Sequence, residues 1–377
     1  MYFPLTPEQD MIRMMVEQFA RREVAPGAAQ RDREAKFPEE LIGKLAGLGL
    51  CGMMVPAAYG GSEVGAVAYV LAVMEIARAC ASTAVTMSVT NLTSEPLARF
   101  GSEEQKQRLL KPLAGGEVLG AFALTEPGAG SNLAEIQCQA RRRGSRYLLN
   151  GTKIFITNGG YAGLFFVLAR TGESGGRGLS AFMVEKGAPG LKIGRSLSKM
   201  GLRASNTVEL LFEDCEVPEE NRIGKEGDGG RVVAEALASG RIGIAAQATG
   251  MIRACQEEAV KYANERRQFH KPLSAHQAIQ WMIADIATGR EAAELLTLSA
   301  AALKDREQPF TKEASMAKLF ASETLNRSAY QALQIHGGYG YTSEFPIERI
   351  YRDARVTTIY EGTSEVQRML IARETLK

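Results

Sequence analysis

The sequence predicts an α+β protein in three stretches: a helical N-terminal domain over 1–117, a middle β domain over 118–227 and a C-terminal helical bundle over 228–377. Three observations carry this reading. Apolar residues first recur at three- and four-residue spacings, the period then shortens to that of short strands, and long helical stripes return near residue 228.

In the first stretch Met11, Met14, Met15 and Phe19, and then Leu41, Leu45 and Leu48, follow helical spacing. Ser102 with Gln105 three places on is a capping box, opening a helix through Leu109 and Leu110. In the middle stretch, segments 118–125, 146–158, 164–170, 179–185 and 207–218 read as short strands between Gly, Asn and Ser turns. Asn150-Gly151, between two apolar runs, is expected to turn a hairpin. Arg141, Arg142 and Arg143 read as a solvated strand face or edge. In the last stretch Val233, Leu237, Ile244, Ala248, Ile252, Cys255, Ala259 and Tyr262 make one long stripe. Ile279, Ile283, Ile286 and Leu296 lie on a second helix, Ala314, Ala317, Phe320 and Leu325 on a third, and a final helix begins near Ser364. Long amphipathic helices joined by short loops form an antiparallel bundle.

Composition narrows the function. The formal net charge of +2 lacks the basic surplus of a nucleic-acid binder. Five scattered cysteines and three histidines offer no zinc pattern and fit free thiols in a reducing compartment. The N-terminus shows no signal-peptide pattern and no stretch reads as a membrane span, so a cytoplasmic protein is expected.

Gly47, Gly49 and Gly52 match G-x-G-x-x-G, but they follow a helical pattern and run into Val55-Pro56, so they read as a helix stop and turn. Thr125-Glu-Pro-Gly-Ala-Gly-Ser131 closes a strand with a turn whose backbone N–H groups can face a ligand, although such loops are often plain connections. Thr157-Asn-Gly-Gly160 is a second polar turn, and the two could frame one flat ligand. Ser364 and Gln367 form a capping box, which puts Glu361 in the loop feeding a helix N-terminus. A carboxylate there is either a solvated loop residue and dipole partner or a general base beside a substrate. Gln334 ahead of Gly337, Gly338 and Gly340 asks for more than a helix stop and fits close packing on a ligand or subunit.

Six segments together carry a resemblance over nearly the whole chain: AFALTEPGAGSN (121–132), KIFITNGG (153–160), KMGLRAS (199–205), ERRQF (265–269), QIHGGYGYTSEFPIERIYRD (334–353) and IYEGTSEVQR (359–368). The sequence resembles the acyl-CoA dehydrogenases, FAD enzymes that place a 2,3 double bond in acyl-CoA thioesters. The resemblance implies a helical domain, an antiparallel β-barrel-like domain and a four-helix bundle. It implies Glu361 as catalytic base; some relatives carry that base near residue 240, where this chain has Gly240. Phe122, Leu124, Thr125, Gly130 and Ser131 match the loop on the flavin, and Phe155, Ile156 and Thr157 match the strand end flanking its ring. Many relatives have Trp at Phe155 and Asp at Asn132, departures that bear on flavin tuning. Arg266, Gln277, Gln334, Gly337 and Gly338 match residues holding a neighbouring subunit's FAD, while Thr363 and Glu365 match cofactor contacts beside the base. Ser131, Arg241, Gln247, Thr357, Tyr360 and Gly362 match substrate positions, and Gln247 and Thr357 shorten the acyl pocket in short-chain relatives.

The implied protein is a homotetramer, a dimer of dimers, acting on short-chain acyl-CoA in fatty acid β-oxidation and passing electrons to an electron-transferring flavoprotein. In the family the thioester oxygen takes hydrogen bonds from the base residue's backbone N–H and from the FAD, which stabilise developing enolate charge. Two alternatives stand beside this reading: a flavin acyl-CoA oxidase, whose members are usually longer, and a non-catalytic helical scaffold retaining the fold.

Overall fold

The structure, a computed structural model, describes residues 3–172 and 178–377. Seven helices precede the sheet: α1 (Pro7–Phe19), α2 (Ala28–Glu34), α3 (Glu39–Gly47), α4 (Gly65–Ala79), α5 (Ala81–Phe100), α6 (Glu103–Gln105) and α7 (Lys111–Ala114). Thr6 starts α1, its hydroxyl accepting from the Gln9 N–H at 3.2 Å while Gln9 returns the bond at 3.0 Å. The methionine spacing marks this helix but not its inner face. Met11 and Met14 are 65% and 58% exposed, and Val16, with Ala20 beyond it, is the buried side. The Ser102–Gln105 capping box forms with both bonds, at 3.2 and 2.9 Å. The glycines at 47–52 end α3 and turn the chain, with Gly49 at φ +73°.

α5 is rich in hydroxyls yet buried along most of its length. It tolerates burial because Thr86, Thr90, Thr93 and Ser94 each donate to the carbonyl four residues back, leaving few polar atoms in need of water.

The middle sheet contains β1 (Leu119–Ala123), β2 (Gln139–Arg143), β3 (Arg146–Thr157), β4 (Ala162–Arg170), β5 (Leu179–Glu185), β6 (Leu191–Ser196), β7 (Thr207–Pro218) and β8 (Arg222–Ile223). Its order is β6-β7-β3-β2-β4-β5-β8, with β1 against β4. The layer is antiparallel as expected across β6-β7-β3-β2 and β4-β5-β8, while β1 runs parallel to β4 and β2 meets β4 in parallel at Gln139 and Arg170.

The Asn150-Gly151 hairpin is corrected. β3 runs straight through that pair, and the hairpin turns at Gly144-Ser145 between Arg143 and Arg146. Asn150-Gly151 forms a register shift against β7 instead. The Asn150 side chain exchanges two 2.9 Å bonds with Asp214, and a Cβ on Gly151 would lie 2.8 Å from the Cys138 Cα. The glycine is demanded by crowding within the sheet, a need that local turn chemistry imitates. Arg141, Arg142 and Arg143 are exposed on β2, as expected.

A short ribbon, β9 (Arg267–Gln268) and β10 (Lys271–Pro272), interrupts the C-terminal helices α8 (Gly229–Glu265), α9 (Gln277–Asp305), α10 (Thr311–His336), α11 (Pro346–Ala354) and α12 (Ser364–Thr375). α8 is the central rod, packed against α10, α9, α4 and α5, so one core joins the N- and C-terminal helices. Among the described residues no helix is long and apolar enough to cross a membrane.

Candidate active site

Glu361 lies in a turn that the backbone does not adopt freely. Its φ is +55°, and that of Gly362 is +90°. A left-handed conformation costs a non-glycine residue roughly 1–2 kcal/mol, so something must hold it. Gln367 on α12 donates to the Glu361 carbonyl at 3.2 Å and to the Gly362 carbonyl at 2.9 Å, and Lys318 on α10 donates to the same Gly362 oxygen at 2.7 Å. The expected Ser364–Gln367 capping box is thereby corrected. Thr363 is the cap, accepting from the Val366 N–H at 3.4 Å, because Gln367 is turned back onto the strained loop. Ser364 begins the helix with a buried hydroxyl that has no partner.

The Glu361 carboxylate points at α8. A Cβ on Gly240 would lie 2.6 Å from Oε2, 3.1 Å from Cδ and 3.4 Å from the Leu92 methyl of α5, so the missing side chain is the space the carboxylate uses. Oε2 is buried without a hydrogen-bond partner, and so is Nε of Arg241, the next residue on α8. Buried polar atoms are rarely left without a partner, and a catalytic role is one explanation for them. Desolvation pushes the Glu361 carboxyl up to about 7, against the pull of Arg241 and Lys318. Burial lowers the Arg241 pKa, with Glu361 opposing that shift.

The neighbouring residues fix the walls. Tyr360 donates to Gln247 Oε1 at 2.5 Å, and Gln247 donates to the Ala81 carbonyl at 3.1 Å. Tyr69, buried on α4, brings its hydroxyl to 2.7 Å from the Cβ position of Gly243, one turn along α8 from Gly240. Thr357 is fully buried and donates to the Ala354 carbonyl at 2.7 Å. Thr363 and Glu365 open onto a surface groove with Thr358, Ile359 and Arg355.

The two polar turns of the sheet are tied together. The Ile154 N–H donates to the Thr125 carbonyl at 2.9 Å. Lys153, fully buried, donates to the Leu124 carbonyl at 2.9 Å and to Glu126 at 2.8 Å, and Glu126 also accepts from the Gln137 and Cys138 N–H groups. The buried pair is therefore well bonded on both sides, as such a pair must be to persist. Leu124 is buried, Phe122 stacks on Phe166 at 4.4 Å, and Ser131 is exposed. Gly128 and Gly130 have no atom within 4 Å of a Cβ position, so their backbone stays approachable. Ile156 is buried and Thr157 pairs with Thr207, whereas Phe155, at a register shift, holds φ +61° with 64% of its surface exposed. Backbone strain of this kind is common at functional sites, which makes the exposed Phe155 ring a candidate contact. Asn158, at φ +65°, donates to the Thr86 carbonyl of α5 and the Gly120 carbonyl of β1, both at 3.1 Å. Through α5 the two turns are thus fixed relative to Leu92, Gly240 and Glu361.

A second group stands apart. Arg266 caps the far end of α8, Gln277 opens α9, and Gln334, Gly337 and Gly338 are exposed where α10 ends. Arg266 lies 5.5 Å from the Tyr339 ring, which joins the α8 and α10 ends. At 1.5 Å per residue this cluster is roughly 39 Å along α8 from Gly240, so one chain does not bring it to Glu361.

The sequence reading overlooked Lys318, the Lys153–Glu126 pair, Asn158 and Tyr69. Lys318 left a signal: it lies on the apolar face of α10 with Ala314, Ala317, Ala321 and Leu325, where a lysine is out of place.

Comparison with known proteins gives three matching domain models: the acyl-CoA dehydrogenase N-terminal domain over residues 6–117, the middle domain over 121–215 and the C-terminal domain over 227–376. An acyl-CoA dehydrogenase of Bacillus subtilis is 49% identical, covering 98% of each chain. The mitochondrial short-chain specific acyl-CoA dehydrogenase of Mus musculus is 48% identical over 99% of this chain and 91% of its own. Butyryl-CoA dehydrogenase from Megasphaera elsdenii superposes with a TM-score of 0.98 at 42% identity, covering 100% of both chains. A chain in the structure described as the electron transferring flavoprotein of Acidaminococcus fermentans also gives 0.98, at 45% identity over 100% of both.

Proposed function

The chain belongs to the acyl-CoA dehydrogenase family, and from that premise we propose that it desaturates short-chain acyl-CoA thioesters, with Glu361 as the base that removes the α-proton. The observation that carries this is the Glu361 carboxylate: buried, unpartnered, raised to about 7 and seated in the space of a missing side chain.

The residues present fit FAD. The tied turns, the approachable Gly128 and Gly130 backbone and the exposed, strained Phe155 make one surface suited to a flat ring. Phe122, Leu124, Thr125, Gly130, Ser131, Phe155, Ile156 and Thr157 would hold it, with Thr363 and Glu365 beside the base. When bound, FAD supplies the two-electron acceptor for the β-hydride. Arg266, Gln277, Gln334, Gly337 and Gly338 lie too far along the bundle to share that site within one chain, which supports a homo-oligomer, proposed as a tetramer, that places them on a neighbour's cofactor.

The chain's own residues do the proton chemistry. Substrate entry completes the desolvation of Glu361, and an oxyanion near pKa 7 is a far better base than an exposed glutamate while still half ionised at neutral pH. The turn that strains Glu361 also frees its backbone N–H ahead of α12 to meet the thioester oxygen, where enolate charge develops. Arg241 offers an unused buried N–H to the polar part of the thioester chain. Gln247, Tyr360 and Thr357 close the acyl end, and the proposed preference is for about four to six carbons, branched acids included, since each methylene is worth about 0.8 kcal/mol. An electron-transferring flavoprotein is the proposed acceptor.

Mixing the yellow holoprotein with butyryl-CoA under nitrogen tests the reading. Wild type bleaches and Glu361→Gln keeps its FAD but does not. Equal bleaching by the variant removes Glu361 from the mechanism, and a screen of acyl lengths tests the pocket.

A further inference from the structure

We propose that Lys318 is a positioning residue for the reaction, acting through the Gly362 carbonyl to hold the Glu361 turn and to keep a positive charge beside the base. The inference rests on the reading of Glu361 as base.

Burying an ammonium is costly, and a methionine would fill comparable volume on this apolar face without that cost. Lys318 is nonetheless fully buried. Among the described residues it has no carboxylate within ion-pair distance and makes one hydrogen bond, 2.7 Å to the Gly362 carbonyl. That oxygen also takes Gln367 at 2.9 Å, so donors from two helices converge on one atom of the turn. The convergence holds the two positive φ angles at Glu361 and Gly362, which would otherwise relax and swing the carboxylate away from Gly240.

The charge has a second effect. The groups facing Lys318 are Glu361 and Glu365 from the turn and α12, Arg241 from α8 and Glu323 from its own helix. Those acting on Glu361 are Arg241 and Lys318. Burial brings Lys318 itself down to about 8, so it is still largely charged at neutral pH. A cation beside the base favours the ionised carboxylate and offsets part of the desolvation that raises it. Held by a carbonyl rather than a carboxylate, Lys318 supplies this field without quenching it in an ion pair.

The test is the pH dependence of anaerobic flavin reduction by butyryl-CoA in FAD-loaded variants. Lys318→Met removes donor and charge. Its midpoint should move up by about one pH unit, which for a base near 7 means about fivefold less ionised carboxylate at neutral pH, and its high-pH plateau should also fall because the turn is loosened. Lys318→Gln keeps a donor for Gly362 without the charge, so the midpoint should rise while the plateau stays nearer wild type. Lys318→Arg should restore the midpoint. Gln367→Leu, which removes an uncharged donor, should lower the plateau and leave the midpoint in place. Wild-type midpoints in folded Lys318→Met and Lys318→Gln overturn the proposal, and if Lys318→Met does not fold, Lys318→Gln decides alone. Failure of the wild type itself to reduce its flavin overturns the reading of Glu361, a different result.

Discussion

Gly240→Ala separates stability from catalysis at one position. In the interior of a long helix this change ordinarily stabilises by up to about 1 kcal/mol, because alanine has less backbone entropy to lose. Here the new methyl would stand 2.6 Å from Glu361 Oε2 and 3.1 Å from Cδ, against 3.4 Å to the Leu92 methyl. Leu92 can stay. The carboxylate must withdraw by about 0.8 Å to reach an ordinary contact of about 3.4 Å, and as the end of a flexible side chain it can do so at little cost in stability. Catalysis is less forgiving, since misplacing a reacting group by about 1 Å can cost on the order of a hundredfold. The expected variant is therefore folded and FAD-loaded, melts at or above the wild-type temperature, and reduces its flavin roughly a hundredfold more slowly with saturating butyryl-CoA. Thermal unfolding and anaerobic stopped-flow absorbance read the two quantities. Wild-type reduction in a folded variant would mean that the working carboxylate does not rest against Gly240.

Three further outcomes follow from the same geometry. Asp353, buried and accepting from the Leu202 N–H at 2.5 Å, is raised from 3.8 to about 7 by desolvation. Its folded pKa lies above its unfolded one, so folding binds the extra proton and stability falls as pH rises between those values. Asp353→Asn should therefore gain stability relative to wild type from pH 5 to pH 8 in urea titrations, and a gap that does not change with pH would refute this. Asn158→Ala removes two 3.1 Å bonds, one to an α5 carbonyl and one to a β1 carbonyl, at a left-handed residue, and should cost on the order of 2–3 kcal/mol in a urea midpoint series. Phe155→Gly should relieve roughly 1 kcal/mol of backbone strain in the cofactor-free protein while weakening FAD binding; unchanged affinity in a fluorescence titration would remove the ring from the cofactor site.

Much of the fold was legible because its signals are local. The Ser102 capping box, the stop at Gly49 and the long stripe of α8 each act within a few turns of chain, where spacing and side-chain chemistry decide the outcome. The failures have one cause. Asn150-Gly151 carries turn chemistry, but Cys138, just ahead of β2, and Asp214 across the sheet make it a bulge. Gln367 has capping-box spacing, but its amide is taken by the Glu361 and Gly362 carbonyls of a turn that Lys318, far back on α10, helps to hold. Met11 and Met14 have core spacing, but the face packed on α4 is the one through Val16. In each case a contact distant in sequence outweighs a local preference worth about 1 kcal/mol. Glu361 could be singled out from its motif; its burial against Gly240 could not, because Gly240 belongs to a helix more than a hundred residues earlier.

Three non-glycine residues at the site, Phe155, Asn158 and Glu361, have positive φ. Each could relax if its neighbours allowed it, and each is held from a different direction. Phe155 sits between Ile154, bonded back to Thr125, and the register shift against β7. Asn158 is held by carbonyls of α5 and β1, and the Glu361 turn by side chains of α10 and α12. Strain on both sides of the proposed flavin therefore depends on the same helical core, through α5 at one end and α10 at the other. A loosened contact between α5 and α8 should disturb the ring surface and the base together, although neither touches the other. Such coupling would give the buried, hydroxyl-rich α5 a role at the proposed site beyond filling the core. In the proposed reaction it would set the distance between the proposed base and the proposed flavin surface, where a misplacement of about 1 Å can slow the reaction on the order of a hundredfold.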